Sequence, residues 1–215
     1  MSGIDTTREQ IALYAKSLFD RGLAHGSTGN ISVRLPDGSL LVTPTGSTMG
    51  SLDPARISHL AASGEHLSGD KPTKEMPLHA AFYETRRDTG AVVHLHSCYS
   101  VALSLLPDLH PDNALPPLTA YGIMLLGKVR LLPFFVPGDP AMGDAVRGLA
   151  GQRSAVLLAN HGPVVAGKDL ATAVNAMEEL EATAKLALLL RGAGAVALKT
   201  DQINRIVDRF DVDWT

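Results

Sequence analysis

Ala91-Val92-Val93-His94-Leu95-His96 is a short, apolar, β-branched run that closes on two histidines one residue apart. A run of this kind reads as a buried strand. Residues i and i+2 of a strand face the same side, so both imidazoles point one way. A catalytic zinc takes three protein ligands and keeps a fourth position open. The third ligand is expected on a turn that packs near this strand. His161 fits, because Asn160-His161-Gly162-Pro163 is a tight turn directly after the apolar strand 155–159. Paired histidines on an apolar strand are costly to bury without a partner. His94, His96 and His161 are therefore the candidate metal ligands.

The surrounding chain alternates helices and strands. Residues 6–21 carry Ile11, Leu13, Tyr14, Leu18 and Phe19 at helical spacing, with Gly22 as a stop. Strands 31–35 and 40–43 flank the hairpin signal Pro36-Asp37-Gly38. Residues 51–68 read as irregular or as short strands, and 75–87 as a helix. A helix follows the histidine strand over 97–106. Residues 107–117 form a proline-rich loop, and 118–136 suit short strands better than one helix. Further helices are expected at 140–150 and 200–210. Residues 169–191 form a long one, capped by Asp169 and ended by Gly192. With no repeat and no linker, this predicts one domain over residues 1–215 with a central sheet, in the α/β or α+β class.

Composition narrows the function classes. Of 215 residues, 45% are hydrophobic and 19% charged, which argues against disorder. Lys plus Arg number 19 and Asp plus Glu 22, a formal charge of −3. That balance gives no reason to expect nucleic acid or an anionic membrane as a partner. The polar start lacks the pattern of a signal peptide, and no apolar run approaches the ~20 residues of a membrane span. The single cysteine, Cys98, leaves no intrachain disulfide or cysteine-only zinc cluster and points to a reducing, cytoplasmic setting.

Two polar glycine turns form a second constellation. Ser27, Thr28, Gly29 and Asn30 offer hydroxyls and backbone N–H groups, as do Thr45, Gly46 and Thr73, with Lys74 as a neighbouring cation. They read either as ordinary turns or as a phosphate cradle. Glu75, at the start of a helix, is a dipole partner or, if that end faces the metal, a general acid/base. His79, one turn along, reads as structural.

Taken in order, Gly29-Asn30-Ile31-Ser32, Thr43-Pro44-Thr45-Gly46, Pro72-Thr73-Lys74-Glu75, His94-Leu95-His96-Ser97 and Asn160-His161-Gly162 resemble the class II aldolase/adducin family over residues 6–191. The resemblance implies a single-domain, three-layer αβα sandwich with a central, largely antiparallel sheet. It implies a divalent metal, zinc first and manganese or cobalt next, on His94, His96 and His161. Glu75 falls on the catalytic glutamate and also approaches the metal. Phosphate falls to Ser27, Thr28, Gly29, Asn30, Thr45, Gly46 and Thr73. A homotetramer with sites at subunit boundaries is implied too.

Two departures choose within the family. Sugar-phosphate aldolases carry Ser-Ser-Glu where this chain has Thr73-Lys74-Glu75. The stretch 133–138, Pro-Phe-Phe-Val-Pro-Gly, lacks the tyrosine that serves aldol chemistry. Residues 71–79 resemble instead the branch that decarboxylates 3-oxo-tetronate 4-phosphates. That implies loss of carbon dioxide through a metal-stabilised enediolate to give dihydroxyacetone phosphate, with Glu75 moving the proton. Lys74 either orients the phosphorylated sugar acid or points to solvent. The alternatives are an aldolase acting on a ketose 1-phosphate and a non-catalytic scaffold like the adducin head.

Overall fold

The histidine strand lies in the interior of a sheet. In the computed structural model, which describes residues 3–214, β5 (Ala91–His94) is hydrogen-bonded on one edge to β1 (Asn30–Arg34) and on the other to β8 (Gly162–Gly167), antiparallel to both. Outside β1 come β2 (Leu40–Val42), β3 (Ser58–Leu60) and β4 (His66–Ser68). Outside β8 come β7 (Ala155–Leu158) and the edge strand β6 (Arg130–Leu132). The eight strands run β4-β3-β2-β1-β5-β8-β7-β6, and only β6–β7 is parallel. The mixed α/β architecture and the mostly antiparallel sheet match the sequence reading.

Alternation along the inner strands separates two apolar clusters. Ala91, Val93 and Leu95 join Ala155, Leu157 and Val165 on one face. There they meet α1 (Gly3–Asp20) through Ile11, Ala15 and Leu18, and α6 (Leu170–Leu189) through Ala173, Met177 and Leu180. Val92 joins Val156, Leu158 and Val164 on the other face. Their partners are Leu78 and Phe82 of α2 (Met76–Thr85), and Met142 and Val146 of α5 (Ala141–Arg147). His94 shares the parity of Val92, and α2 is the helix that begins directly after Glu75. The two-residue period thus delivers His94 to the same side as Glu75.

Several element boundaries differ from expectation. Residues 118–136 are not all strand: α4 (Ala120–Leu126) precedes β6. Its start is fixed by Thr119, whose hydroxyl accepts from the Gly122 N–H, and it ends at Gly127 with φ +61°. Gly127 closes the helix, and Gly122 lets it lie against α6, because a Cβ there would be 3.1 Å from Thr183 Oγ1. β5 also stops at His94, so His96 lies just past the strand, although Leu95 N–H still donates to Pro163 O at 3.2 Å. α3 (Cys98–Ser104) then begins at once. The Asp169 cap of α6 is present, accepting from Thr172 N–H at 2.7 Å, and α7 (Thr200–Phe210) falls where it was expected.

Backbone presses closely on the histidine strand from both sides. A Cβ on Gly162 would stand 2.3 Å from Leu95 O, at a φ of +150°. A Cβ on Gly29 would stand 2.9 Å from His94 O, at +83°. Gly162→Ala is therefore expected to cost on the order of 3 kcal/mol or more. Gly192→Ala, with φ +77° and nothing within 4 Å of its Cβ, should cost only about 1 kcal/mol. Urea unfolding of the two variants checks this, and equal losses would contradict it.

Candidate metal centre

Four separate elements converge on one corner. His94 ends β5. His96 sits in the link to α3. His161 sits in the three-residue β7–β8 turn, where Asn160 adopts φ +58° and His161 N–H donates to Leu158 O at 3.2 Å. Asn160 N–H is tied to Ser104 Oγ at 3.1 Å, which couples this turn to the end of α3. Glu75 is the residue before α2, and its own N–H donates to Thr73 Oγ1 at 3.3 Å.

Glu75, His94, His96 and His161 each present a ligand atom, and these atoms all lie within 4.8 Å of one another. His96 Nε2 is 3.1 Å from both His94 Nε2 and His161 Nε2. Glu75 Oε2 is 3.5 Å from His94 Nε2, and Oε1 is 3.4 Å from His161 Nε2. His94 Nδ1 lies 2.8 Å from Pro163 O, an acceptor only, so Nδ1 carries a proton and Nε2 is the nitrogen turned to the cluster. His96 has one N–H at most on Nε2 and cannot satisfy two neighbours at once. Glu75 Oε1 and His161 Nδ1 are buried with no hydrogen-bond partner. Four-coordinate zinc, with metal–nitrogen bonds of about 2.0–2.1 Å, spaces its ligand atoms about 3.3 Å apart. The donor set, the spacing and the orphaned Glu75 oxygen fit a divalent ion.

The electrostatics agree. Burial first, and then His94, holds His96 down at about 3, and burial with His94 holds His161 at about 4. Both rings are neutral ligands at ordinary pH. Burial pushes the Glu75 carboxyl up, but His94, the Asn30 amide and His161 together outweigh it, leaving the group below its usual range and ionised.

The remaining expected site residues divide. Asn30 is brought to the cluster: it is paired with His94 across β1–β5, and its Nδ2 donates to Glu75 Oε2 at 2.7 Å. Gly29 lies against His94 O. Thr45 and Thr73 are brought beside one another, since Thr45 N–H donates to Lys71 O at 2.9 Å and Thr73 N–H to Thr43 O at 3.2 Å. Thr45 and Gly46 line a cavity of about 310 Å³ with Arg56 and Asp70. Lys74 is exposed, its stem resting on Gly138, and its charge helps lower His161. The Ser27 side chain is exposed, and the Thr28 hydroxyl donates to His25 O at 2.6 Å. Thr73 and Lys74 also line a cavity of about 630 Å³ against β2 and β3, which none of the three histidines lines.

Two supports stand behind these residues, and only the first lies outside the sequence reading. Glu181 of α6 accepts from Tyr99 N–H and Ser100 N–H at 2.8 Å each and so caps α3 beside the site. At 82 residues' distance from Tyr99 it leaves no local signal. His79 was read as structural; it is fully buried and bonds to Asn30. The four-residue spacing from Glu75 was the available clue.

Residues 9–188 match the family described as Class II Aldolase and Adducin N-terminal domain. The chain belongs to this family. A 3-oxo-tetronate 4-phosphate decarboxylase of Escherichia coli (strain K12) is 52% identical over 183 residues, covering 85% of this chain and 86% of that one. The crystal structure of YgbL from Escherichia coli superposes with a TM-score of 0.93 at 47% identity, covering 95% and 99% of the two chains. An L-fuculose phosphate aldolase of Methanocaldococcus jannaschii is more distant, 34% identical over 182 residues, 85% and 96% of the chains. A divalent metal is the family's cofactor, in agreement with the four-residue cluster.

His96→Ala should lower bound metal from near one ion per chain to a small fraction, since His96 is the ring in contact with both others. Metal content after dialysis checks this, and a full complement would overturn the ligand assignment. A pH effect follows as well. His79, His96 and His161 lie at about 3, 3 and 4 when folded, against 6.5 ordinarily. The unfolded chain therefore takes up protons that the folded metal-free chain refuses as pH drops below about 6.5, and stability falls from there down toward pH 3–4. The thermal midpoint of the metal-free protein should decline steadily from pH 7 to pH 5, where a flat profile would contradict it.

Proposed function

We propose that this chain decarboxylates a 3-oxo-tetronate 4-phosphate to dihydroxyacetone phosphate and carbon dioxide. The observation that carries the reading is the 52% identity to a decarboxylase of that name across the stretch holding Glu75, His94, His96 and His161, against 34% for the aldolase. Thr73-Lys74-Glu75, in place of Ser-Ser-Glu, supports the same branch. His94, His96, His161 and Glu75 would hold the ion, zinc by preference. The bound cation would supply a Lewis acid for the substrate oxygen that gains charge as carbon dioxide leaves.

The chain's own groups do the rest. Loss of carbon dioxide leaves an electron pair at C2, which takes its proton from the Glu75 carboxyl, and that carboxyl is refilled from solvent. Glu75 rests ionised, and the arriving polyanion favours its protonated form. Its Oε1 faces the cluster 3.4 Å from His161 Nε2 and without a hydrogen bond, so it would approach the ion while no substrate is present and carry the proton once substrate is bound. Lys74, the exposed cation next to Glu75, would orient the carboxylate or phosphate of the acid. The Gly46 N–H and the hydroxyls of Thr45 and Thr73 would serve the phosphate, since the Thr45 and Thr73 N–H groups are spent on joining the 43–45 and 71–73 segments, with Ser27 and Thr28 on the neighbouring turn.

Finer readings accompany this one. The two apolar clusters on opposite sheet faces support a three-layer arrangement, and the continuous sheet supports one domain over 1–215. Exposed Phe134, Val136 and Leu189 support burial in a homotetramer. No described helix is long and apolar enough to cross a membrane. The lone Cys98 supports a cytoplasmic setting.

The test supplies a 3-oxo-tetronate 4-phosphate, made in place by a kinase and a dehydrogenase, beside a panel of ketose 1-phosphates. Carbon dioxide with dihydroxyacetone phosphate is the expected result. Aldehyde release from a ketose phosphate without decarboxylation would overturn it in favour of the aldolase, and inactivity toward both with no bound metal would favour a scaffold. Glu75→Gln should retain metal through the three histidines and lose about 10²–10⁴ in turnover.

A further inference from the structure

A buried polar chain runs away from the metal cluster behind Glu75. Its middle member is His79, one helical turn past Glu75 on α2, with both ring nitrogens engaged. Nε2 lies 2.5 Å from Asn30 Oδ1, and Nδ1 lies 2.7 Å from Ser32 Oγ. Ser32 Oγ in turn lies 2.8 Å from the Tyr83 hydroxyl, and Asn30 Nδ2 lies 2.7 Å from Glu75 Oε2.

Donor and acceptor chemistry gives this chain one direction. A carboxylate only accepts, so the Asn30 atom facing Glu75 is the NH₂ group. The Asn30 atom facing His79 is then the carbonyl oxygen, which also only accepts. His79 must therefore carry its proton on Nε2. Its bare Nδ1 accepts from the Ser32 hydroxyl, which leaves Ser32 Oγ to accept from Tyr83. Flipping the Asn30 amide would set oxygen against carboxylate oxygen and NH₂ against an N–H donor, inside a region closed to water.

From this geometry we infer that His79 is a positioning residue: it locks the Asn30 amide, and through Asn30 it anchors Glu75 Oε2 and so turns Oε1 toward the metal cluster. The inference rests on the proton-transfer role proposed for Glu75. It gives the Asn30 side chain a task of its own beside the backbone N–H that the phosphate cradle would use, because both ends of its amide are engaged. Asn30 is the first residue of β1 and is paired with His94, so the anchor ties the Glu75 carboxylate to the strand that carries the metal ligand.

Two amide substitutions separate positioning from simple filling of space. His79→Gln can still reach Asn30 with an N–H, and His79→Asn, one carbon shorter, cannot. With metal loaded, His79→Asn should lose about 10–100-fold in kcat with KM little changed and metal content kept, and His79→Gln should recover most of the loss. Equal turnover in the two variants would overturn the inference, as would loss of metal in place of turnover. Should His79→Asn fail to fold, Asn30→Ala takes its place, with the same expected loss and the same overturning result. Nitrogen-15 NMR of histidine-labelled wild type gives a readout independent of activity: His79 is expected as the Nε2–H tautomer, and the Nδ1–H form would refute the chain as drawn. A wild type that turns over neither substrate class would sink the proposed function, and the tautomer would still decide the hydrogen-bond direction.

Discussion

Three imidazole nitrogens in a row, each 3.1 Å from the next, cannot all be satisfied by one another. At most one proton lies between each pair, and His94 has already committed its own proton to Pro163 O. A cation in their midst would resolve the conflict and give the buried Glu75 oxygen a partner. The rest of the fold is arranged so that these groups meet. β5 is flanked by β1 and β8, and glycine backbone at positions 29 and 162 comes close enough to the histidine strand to leave no room for a side chain. The ligands come from a strand, a link, a hairpin turn and a helix start, so no single local segment makes the site. Folding the sheet makes it.

That arrangement explains what was legible in advance. His94 and His96 were readable because their residue type is expensive to bury and their spacing follows the strand period. His161 was readable because a polar Asn-His-Gly turn after an apolar strand has few other uses. The long helix α6 announced itself through Asp169 and Gly192. The family motifs named Glu75. In each case the information lay within a few residues.

The unread parts depend on partners far along the chain. α4 was hidden because Gly122 weakens a helix in isolation, and its value lies in the close approach to Thr183 of α6. The two turns containing Thr45 and Thr73 looked independent in sequence, and only the bridge between Pro44 and Pro72 makes them neighbours. Asn30 reads as part of a turn offering backbone N–H groups to phosphate. Strand register sets it opposite His94 and brings its side chain within reach of Glu75, which no local pattern announces. His79 reads as structural from sequence, but its partners Asn30 and Ser32 come from elsewhere along the chain.

The cap on α3 has a consequence for selectivity. This helix starts two residues after His96, with free amides that would otherwise add positive potential beside the metal corner. Glu181 occupies the Tyr99 and Ser100 amides. Those two donors are thereby closed to any anion, while the Lys74 side chain stays exposed. The polarity of the corner is thus set by which donors the fold has already spent, a property that no single segment of the sequence displays.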